Sequence, residues 1–188
     1  MVMKLYKMIL LAFLAVFSSC GCRDDNTENY TLNSFENQII PENARQVTFV
    51  NQNGEIISGN YSQRVDETRD IDSSNDEECY ATYVQKQYSI LSLGEDVQFL
   101  LTIGKNRRNG TLFYLYNGSS SYGVQNCDSE IILENQLQFI TIQGFTYQNV
   151  FVLNNCGEGS PISTIIYSLE NAIEFIAFSD GTYLKLSV

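Results

Sequence analysis

Between residues 97 and 103 the apolar side chains Val97, Phe99, Leu101 and Ile103 fall at every second position. A period of two lines one face of a β-strand, whereas a helix would scatter the same four residues around its axis. Runs of this kind recur along the chain and are separated by Asn53-Gly54, Gly94, Asn109-Gly110, Asn117-Gly118, Gln143-Gly144 and Asp180-Gly181. Asn-Gly and similar steps accept positive φ, and short turns of this type join antiparallel neighbours. The expected fold is therefore all-β: an antiparallel meander of about nine strands, closed either as a sandwich or as a partly open barrel. Twelve Tyr and eleven Phe, with two Pro and no Trp, suit aromatic-rich strands.

Taken in order, residues 23–45 are polar, rich in Asn and Glu and without a sustained period, which predicts a flexible tether. The β domain is expected over 46–188. Val47 to Val50 leads to Asn53-Gly54, after which Ile57, Tyr61 and Val65 recur on one face. Asp66 to Glu78 is expected to be an acidic, solvated loop. Its Asp70, Asp72, Ser74, Asp76, Glu78 spacing faintly resembles a calcium loop, but Asn75 stands where Gly is needed and Ala81 where the bidentate Glu belongs. Next, Tyr80, Thr82, Val84, Tyr88 and Ile90 share one parity, interrupted by Lys86, and Leu112, Tyr114 and Tyr116 share another. Lys105-Asn106-Arg107-Arg108 is expected to be a solvated turn. Ser119 to Glu130 is expected to be a Ser- and Asn-rich excursion, mobile or folded over an end of the sheet.

Several chemistries are excluded by composition. The chain has no histidine, which removes Ser-His-Asp and Cys-His catalysis, His-based zinc sites and imidazole pH switches. With 22 acidic and 11 basic residues, it is too acidic for nucleic acid or for charge-driven binding to anionic lipid. None of the five cysteines is spaced as C-x-x-C, so no zinc site is expected, and neither is any other metal or cofactor.

The amino terminus supplies an address. Lys4 and Lys7 are followed by ten uncharged apolar residues, Met8 to Phe17, and then by Ser18-Ser19-Cys20. Ten helical residues rise about 15 Å, half of a bilayer's hydrocarbon core, so this run is a secretion signal rather than a span. A cysteine directly after two small residues resembles the lipobox of bacterial lipoproteins. That resemblance implies cleavage before Cys20, a signal peptide over 1–19 and lipid on Cys20, with Cys22 the less suitable acceptor. The mature chain would then keep 169 residues, with a net charge near −13 once Lys4 and Lys7 are gone. Arg23, Asp24 and Asp25 resemble the surface-export signal of Bacteroidetes lipoproteins, which implies display on the outer membrane with the lipid as the membrane contact.

A second resemblance lies at the other end. Ile142-Gln143-Gly144-Phe145-Thr146-Tyr147-Gln148-Asn149-Val150 is similar to the I-x-G-x-x-Y-x-N-V segment of a group of flavobacterial lipoproteins. Tyr167, Ile173-Glu174-Phe175 and Asp180-Gly181-Thr182-Tyr183-Leu184 are similar to their closing segment, with Ala172 standing where that pattern has Gly. The resemblance implies an all-β surface domain and transfers no catalytic residue, since the group has no established activity.

Three functional readings follow. The first is a lipid-anchored, non-enzymatic surface module that binds a protein or a glycan, with Tyr114, Tyr116, Tyr122 or Tyr147 available to stack on sugars. The second is a carboxylate-based glycoside hydrolase or glycan-binding lipoprotein drawing on Glu130, Glu134, Glu158, Glu170 and Glu174. The third is a structural subunit of an envelope assembly. Residues 173–178 are expected to be a central strand with Phe175 buried.

Export makes one disulfide the default among Cys22, Cys79, Cys127 and Cys156. Cys22 sits beside the lipid on the tether. If each hairpin reverses the chain, Cys79 begins a strand at one end of the sheet while Cys127 and Cys156 both come to the other. The expected bridge is Cys127–Cys156.

Overall fold

The structure, a computed structural model, describes residues 27–71, 81–94, 97–127, 132–157 and 159–187. Among these the strands are β1 (Thr27–Tyr30), β2 (Arg45–Asn51), β3 (Ile56–Tyr61), β4 (Val65–Asp70), β5 (Ala81–Leu93), β6 (Val97–Lys105) and β7 (Thr111–Asn117). They continue as β8 (Ser120–Gly123), β9 (Gln138–Ile142), β10 (Phe145–Asn155), β11 (Ile162–Ser168), β12 (Ala172–Phe178) and β13 (Tyr183–Leu186). The fold is all-β, as expected. Gly54, Gly94, Gly118, Gly144 and Gly181 take positive φ in the turns, and Asn109 does so in the β6–β7 turn.

A 10-strand barrel forms in the order β5-β3-β2-β13-β12-β11-β10-β8-β7-β6, with β6 returning to pair β5. Every pairing around this ring is antiparallel, and β1 alone runs parallel to its neighbour, β5. Closure depends on the length of β5. Its residues 91–93 pair β3 on one edge while 86–93 pair β6 on the other, and its first half also takes β4 and β1. A closed ring satisfies the edge groups that an open sheet would expose.

The barrel is filled rather than hollow. Phe49, Leu91, Phe99, Leu101, Ile103, Leu115, Phe151, Leu153, Ile165, Tyr167, Ile173 and Ile176 are buried together inside it. Phe113 sits at the centre of an aromatic group, edge-on to Phe151 at 5.6 Å and to Tyr167 at 5.1 Å. The alternation of β6 is confirmed from Phe99 to Ile103, while Val97 at the strand's start is exposed. The residues named on β5 and on β7 share one face each, as expected, and that face is the outer one. On β5 the inward residues are Gln87, Ser89, Leu91 and Leu93, so Tyr88 and Ile90 face outward. On β7 the inward residues are Thr111, Phe113 and Leu115, so Leu112, Tyr114 and Tyr116 lie on the outer wall. Polar Gln87 is tolerated inside because its amide donates to Asn37 Oδ1 at 2.8 Å and to Asp66 Oδ1 at 2.7 Å. Ser89 likewise donates to the Ser62 carbonyl at 2.8 Å.

Of the expected tether, residues from 27 onward are packed. β1 pairs β5, and residues 31–43 then plug one end of the barrel, where Leu32, Ile39 and Ile40 join the core. Asn33 starts the 3₁₀ turn at Glu36–Gln38. Its side-chain oxygen accepts the Phe35 and Glu36 N–H groups at 2.9 Å, and its own N–H donates to Glu36 Oε2 at 2.8 Å. This reciprocal pair is a capping box. Tyr167 donates its hydroxyl to the Ile39 carbonyl, and Leu32 N–H donates to Gln85 Oε1 at 2.9 Å.

Residues 66–70 of the expected acidic loop form β4, and Val65 begins that strand instead of continuing β3. The expected Ser119–Glu130 excursion contributes β8 and a 3₁₀ turn at Gln125–Cys127, with Tyr122 fully buried. A second, smaller cluster lies on the outer wall. There the β9–β10 hairpin lays Phe145 and Tyr147 over Phe175, with ring centroids at 6.0 and 5.9 Å, and Tyr183 stacks on Phe175 at 5.2 Å. Phe175 is fully buried, as expected, but in this outer cluster rather than the barrel core. Ala172, where the flavobacterial pattern has Gly, takes φ +62°. A side chain is disfavoured there, which gives the physical meaning of Gly at that position.

Candidate functional site

Cys20, Cys22, Arg23, Asp24 and Asp25 lie outside the described residues, as do Cys79, Tyr80, Glu130, Glu158 and the calcium-like positions from Asp72 to Glu78. The remaining cysteines meet. Cys127 and Cys156 form a disulfide with Cα atoms 5.7 Å apart, the pairing expected from strand direction.

The other named carboxylates are not brought together as a pair. Glu134 is exposed in the 3₁₀ turn at Leu133–Gln136, and Glu170 is exposed in the β11–β12 turn. Glu174 accepts from Asn171 Nδ2 at 3.2 Å. The buried carboxylate is one that sequence reasoning missed, Glu36. Lys105 Nζ donates to Glu36 Oε1 at 2.8 Å and to Thr111 Oγ1 at 2.7 Å, and the Thr111 hydroxyl also reaches Glu36 Oε1. Burial pushes the Glu36 carboxyl up, but the hydrogen bonds from Lys105, Thr111 and the Asn33 backbone outweigh it and hold the group below its ordinary value. Lys105 is thus buried and ion-paired, while Asn106 to Asn109 form the expected turn. The Asn33-Ser34-Phe35-Glu36 spacing was the signal available in the sequence. Glu36 and Glu134 both line a polar hollow of 470 Å³ at the plugged end. Both Glu36 oxygens are already engaged there, so this carboxylate holds the plug in place.

At the opposite mouth a hollow of 380 Å³ is lined by Ile57, Leu93, Phe99, Ile162, Ile176 and Leu184, among others, with no titratable side chain. Among the described residues no three Asp, Glu or Cys side chains gather as metal ligands.

The largest hollow of this group is on the outer wall. A groove of 620 Å³ crosses β5, β6 and β7, from Arg69 and Ile71 at one side to Tyr116 and Gly118 at the other. Leu100, Leu112 and Val84 give it an apolar floor, and Thr102, Lys86 and Arg69 supply polar groups. Two of the four candidate tyrosines meet here. Tyr114 and Tyr116 have ring centroids 6.0 Å apart, inclined at 46°, and Tyr116 is 37% exposed. The other two are not available for stacking. Tyr122 is wholly buried, with its hydroxyl bonded to Ser160, and Tyr147 is 8% exposed in the outer cluster. Strand alternation turns Tyr122 inward, whereas Tyr147 shares the outer side and is covered by its packing against Phe175.

The local sequence fixes the groove's inner ring. Tyr114 donates its hydroxyl to the Cys127 carbonyl at 3.0 Å, and the disulfide to Cys156 anchors that residue. Gly123 lies against the Tyr114 ring. A Cβ there would stand 3.1 Å from Tyr114 Cδ1 and Cε1 and 2.9 Å from Cys127 Sγ, so only glycine leaves the ring its place. Comparison with protein-family models, curated proteins and solved structures finds no match for this chain.

Proposed function

We propose that this chain is a lipid-anchored module of the bacterial outer surface that binds its ligand on the outer wall of a closed barrel. The observation that carries the reading is the contrast between interior and wall. Aromatic and aliphatic side chains fill the barrel to its axis, whereas the wall over β5–β7 carries a groove with a partly exposed tyrosine pair. A filled barrel gives rigidity and outward display, and a concave, mainly apolar groove with a few polar groups is the ordinary shape of a ligand site. The leader supports the location. Lys4, Lys7, the apolar run and Ser18-Ser19-Cys20 supply the address, and Arg23-Asp24-Asp25 supply outward routing. Two or more acyl chains on Cys20 would hold the protein stably at a membrane.

Two measurements test this. Metabolic labelling with a fatty-acid analogue should mark the parent and not Cys20→Ala, and the variant should leave the membrane fraction. Label retained on Cys20→Ala removes the anchor from Cys20. Full-length protein should also capture envelope components from detergent extract, and Tyr116→Ala should lose them. Equal capture by parent and variant would remove binding from the outer wall.

A further inference from the structure

Resting on the outer-wall reading, we infer that the groove over β5–β7 is a saccharide site and that its saccharide is acidic. A pyranose ring offers an apolar face of C–H groups and an edge of hydroxyls. The C–H face matches an aromatic ring, whose negative π-face attracts the weakly positive hydrogens. Tyr114 and Tyr116, two apart on β7, present such rings side by side, and their 46° inclination suits a chain whose successive sugars change orientation. Tyr114 is set in advance by Gly123, the Cys127 carbonyl and the Cys127–Cys156 bridge, so little freedom is lost when a ligand stacks on it.

Charge makes the saccharide acidic. The chain carries twice as many acids as bases, yet among the described residues no Asp or Glu lines the groove, while Arg69 and Lys86 do. The Lys86 ammonium lies over the Tyr88 ring at 5.7 Å and forms no ion pair among the described residues. Arg69 engages Glu67 through Nε alone at 2.9 Å. Glu67, opposite Lys86 on β4 and bonded to Arg69, balances one of these two cations, and a carboxylate or sulfate on a sugar completes the pairing of the other. A neutral glycan would leave the second positive charge of the groove unpaired.

Calorimetric titration of the full-length protein in detergent tests the inference with three probes: oligogalacturonate, sulfated carrageenan oligosaccharide and cellohexaose. One or both acidic probes should bind, at least tenfold more tightly than cellohexaose, and weaken as salt rises. Tyr116→Ala and Lys86→Gln should each weaken that binding about tenfold with the melting temperature little changed, because both side chains lie on the outer wall. Tighter or equal binding of cellohexaose overturns the charge argument. Acidic binding that neither variant alters places the site elsewhere and overturns the assignment. If none of the probes binds, the saccharide inference falls. The outer-wall reading then stands only if Tyr116→Ala still abolishes envelope capture, so the two failures are distinguishable.

Discussion

Lys105→Met probes the plug at its most sensitive point. The Lys105 and Glu36 side chains are 8% and 6% exposed, and Lys105 is the only cation bonded to Glu36 among the described residues. Removing it leaves a buried carboxylate held by the Thr111 hydroxyl and the Asn33 N–H alone. Breaking a buried pair from one side costs about 3–5 kcal/mol, against about 5–15 kcal/mol for a whole domain. Replacing both partners, Glu36→Met with Lys105→Met, should recover most of the loss, because no charge then remains buried. The pH dependence separates this account from a simple packing defect. In the parent, Glu36 titrates below its ordinary 4.5, so its stabilisation is present above that value and is lost as pH falls through the folded pKa. In Lys105→Met, burial becomes dominant and raises the Glu36 pKa, so the contribution is greatest at low pH and fades as pH rises. The stability slopes between pH 4 and 7 should therefore have opposite signs. Urea midpoints followed by tyrosine fluorescence measure this across the pH range, and hydrogen exchange at residues 33–40 registers opening of the plug alone. If the single variant keeps parental stability, exchange and pH slope, the pair does not hold the plug.

Three further outcomes follow from local geometry. The buried Tyr147 hydroxyl has no hydrogen-bond partner among the described residues, and burial followed by Glu174 and Tyr183 pushes its pKa up to about 12. Tyr147→Phe should therefore be neutral or stabilising by up to about 1 kcal/mol in thermal melts, and a loss beyond that would reveal a partner for the hydroxyl. Cys127→Ser with Cys156→Ser opens a loop of sequence separation 29 and should cost about 3–4 kcal/mol in denaturant unfolding. An unchanged midpoint would mean the unfolded chain gains no freedom from reduction. Ala172→Gly should be close to neutral, because relief of the positive φ, about 1–2 kcal/mol, offsets the lost methyl. Ala177→Gly, in an ordinary strand position, should cost about 1–2 kcal/mol, and equal losses at the two sites would refute the backbone argument.

How much was legible follows the range of each interaction. Turns and alternation are local, so Asn53-Gly54, Gln143-Gly144, Asp180-Gly181 and the Phe99–Ile103 face could be read directly from the chain. The disulfide was also legible, because hairpins reverse direction and parity alone brings Cys127 and Cys156 to one end. The reasoning survives the insertion of β8, since that strand covers only part of β7 before the 3₁₀ turn at Gln125–Cys127 folds back. The phenylalanine of β12 was correctly expected to be buried, but its partners were not, because they arrive from a hairpin folded over the outer wall.

The amino-acid sequence by itself determined the β class and the turn positions, because each depends on neighbours within a few residues. Only the tertiary structure decided closure, since a ring forms when β5 meets β6 and β3 together, and no local pattern encodes that meeting. It also decided which face of β5 and β7 points inward. Gln87 and Ser89 are acceptable inside once Asn37 and Asp66 accept from the Gln87 amide nitrogen and Ser62 accepts from the Ser89 hydroxyl, and Tyr114 and Tyr116 are thereby left outside to line a groove. Residues 31–43 show the same limit. Their polar composition reads as tether until the barrel's open end supplies apolar surface for Leu32, Ile39 and Ile40 and a cation for Glu36. Burial is a property of what surrounds a residue, and for these residues the surroundings come from strands far away in the chain.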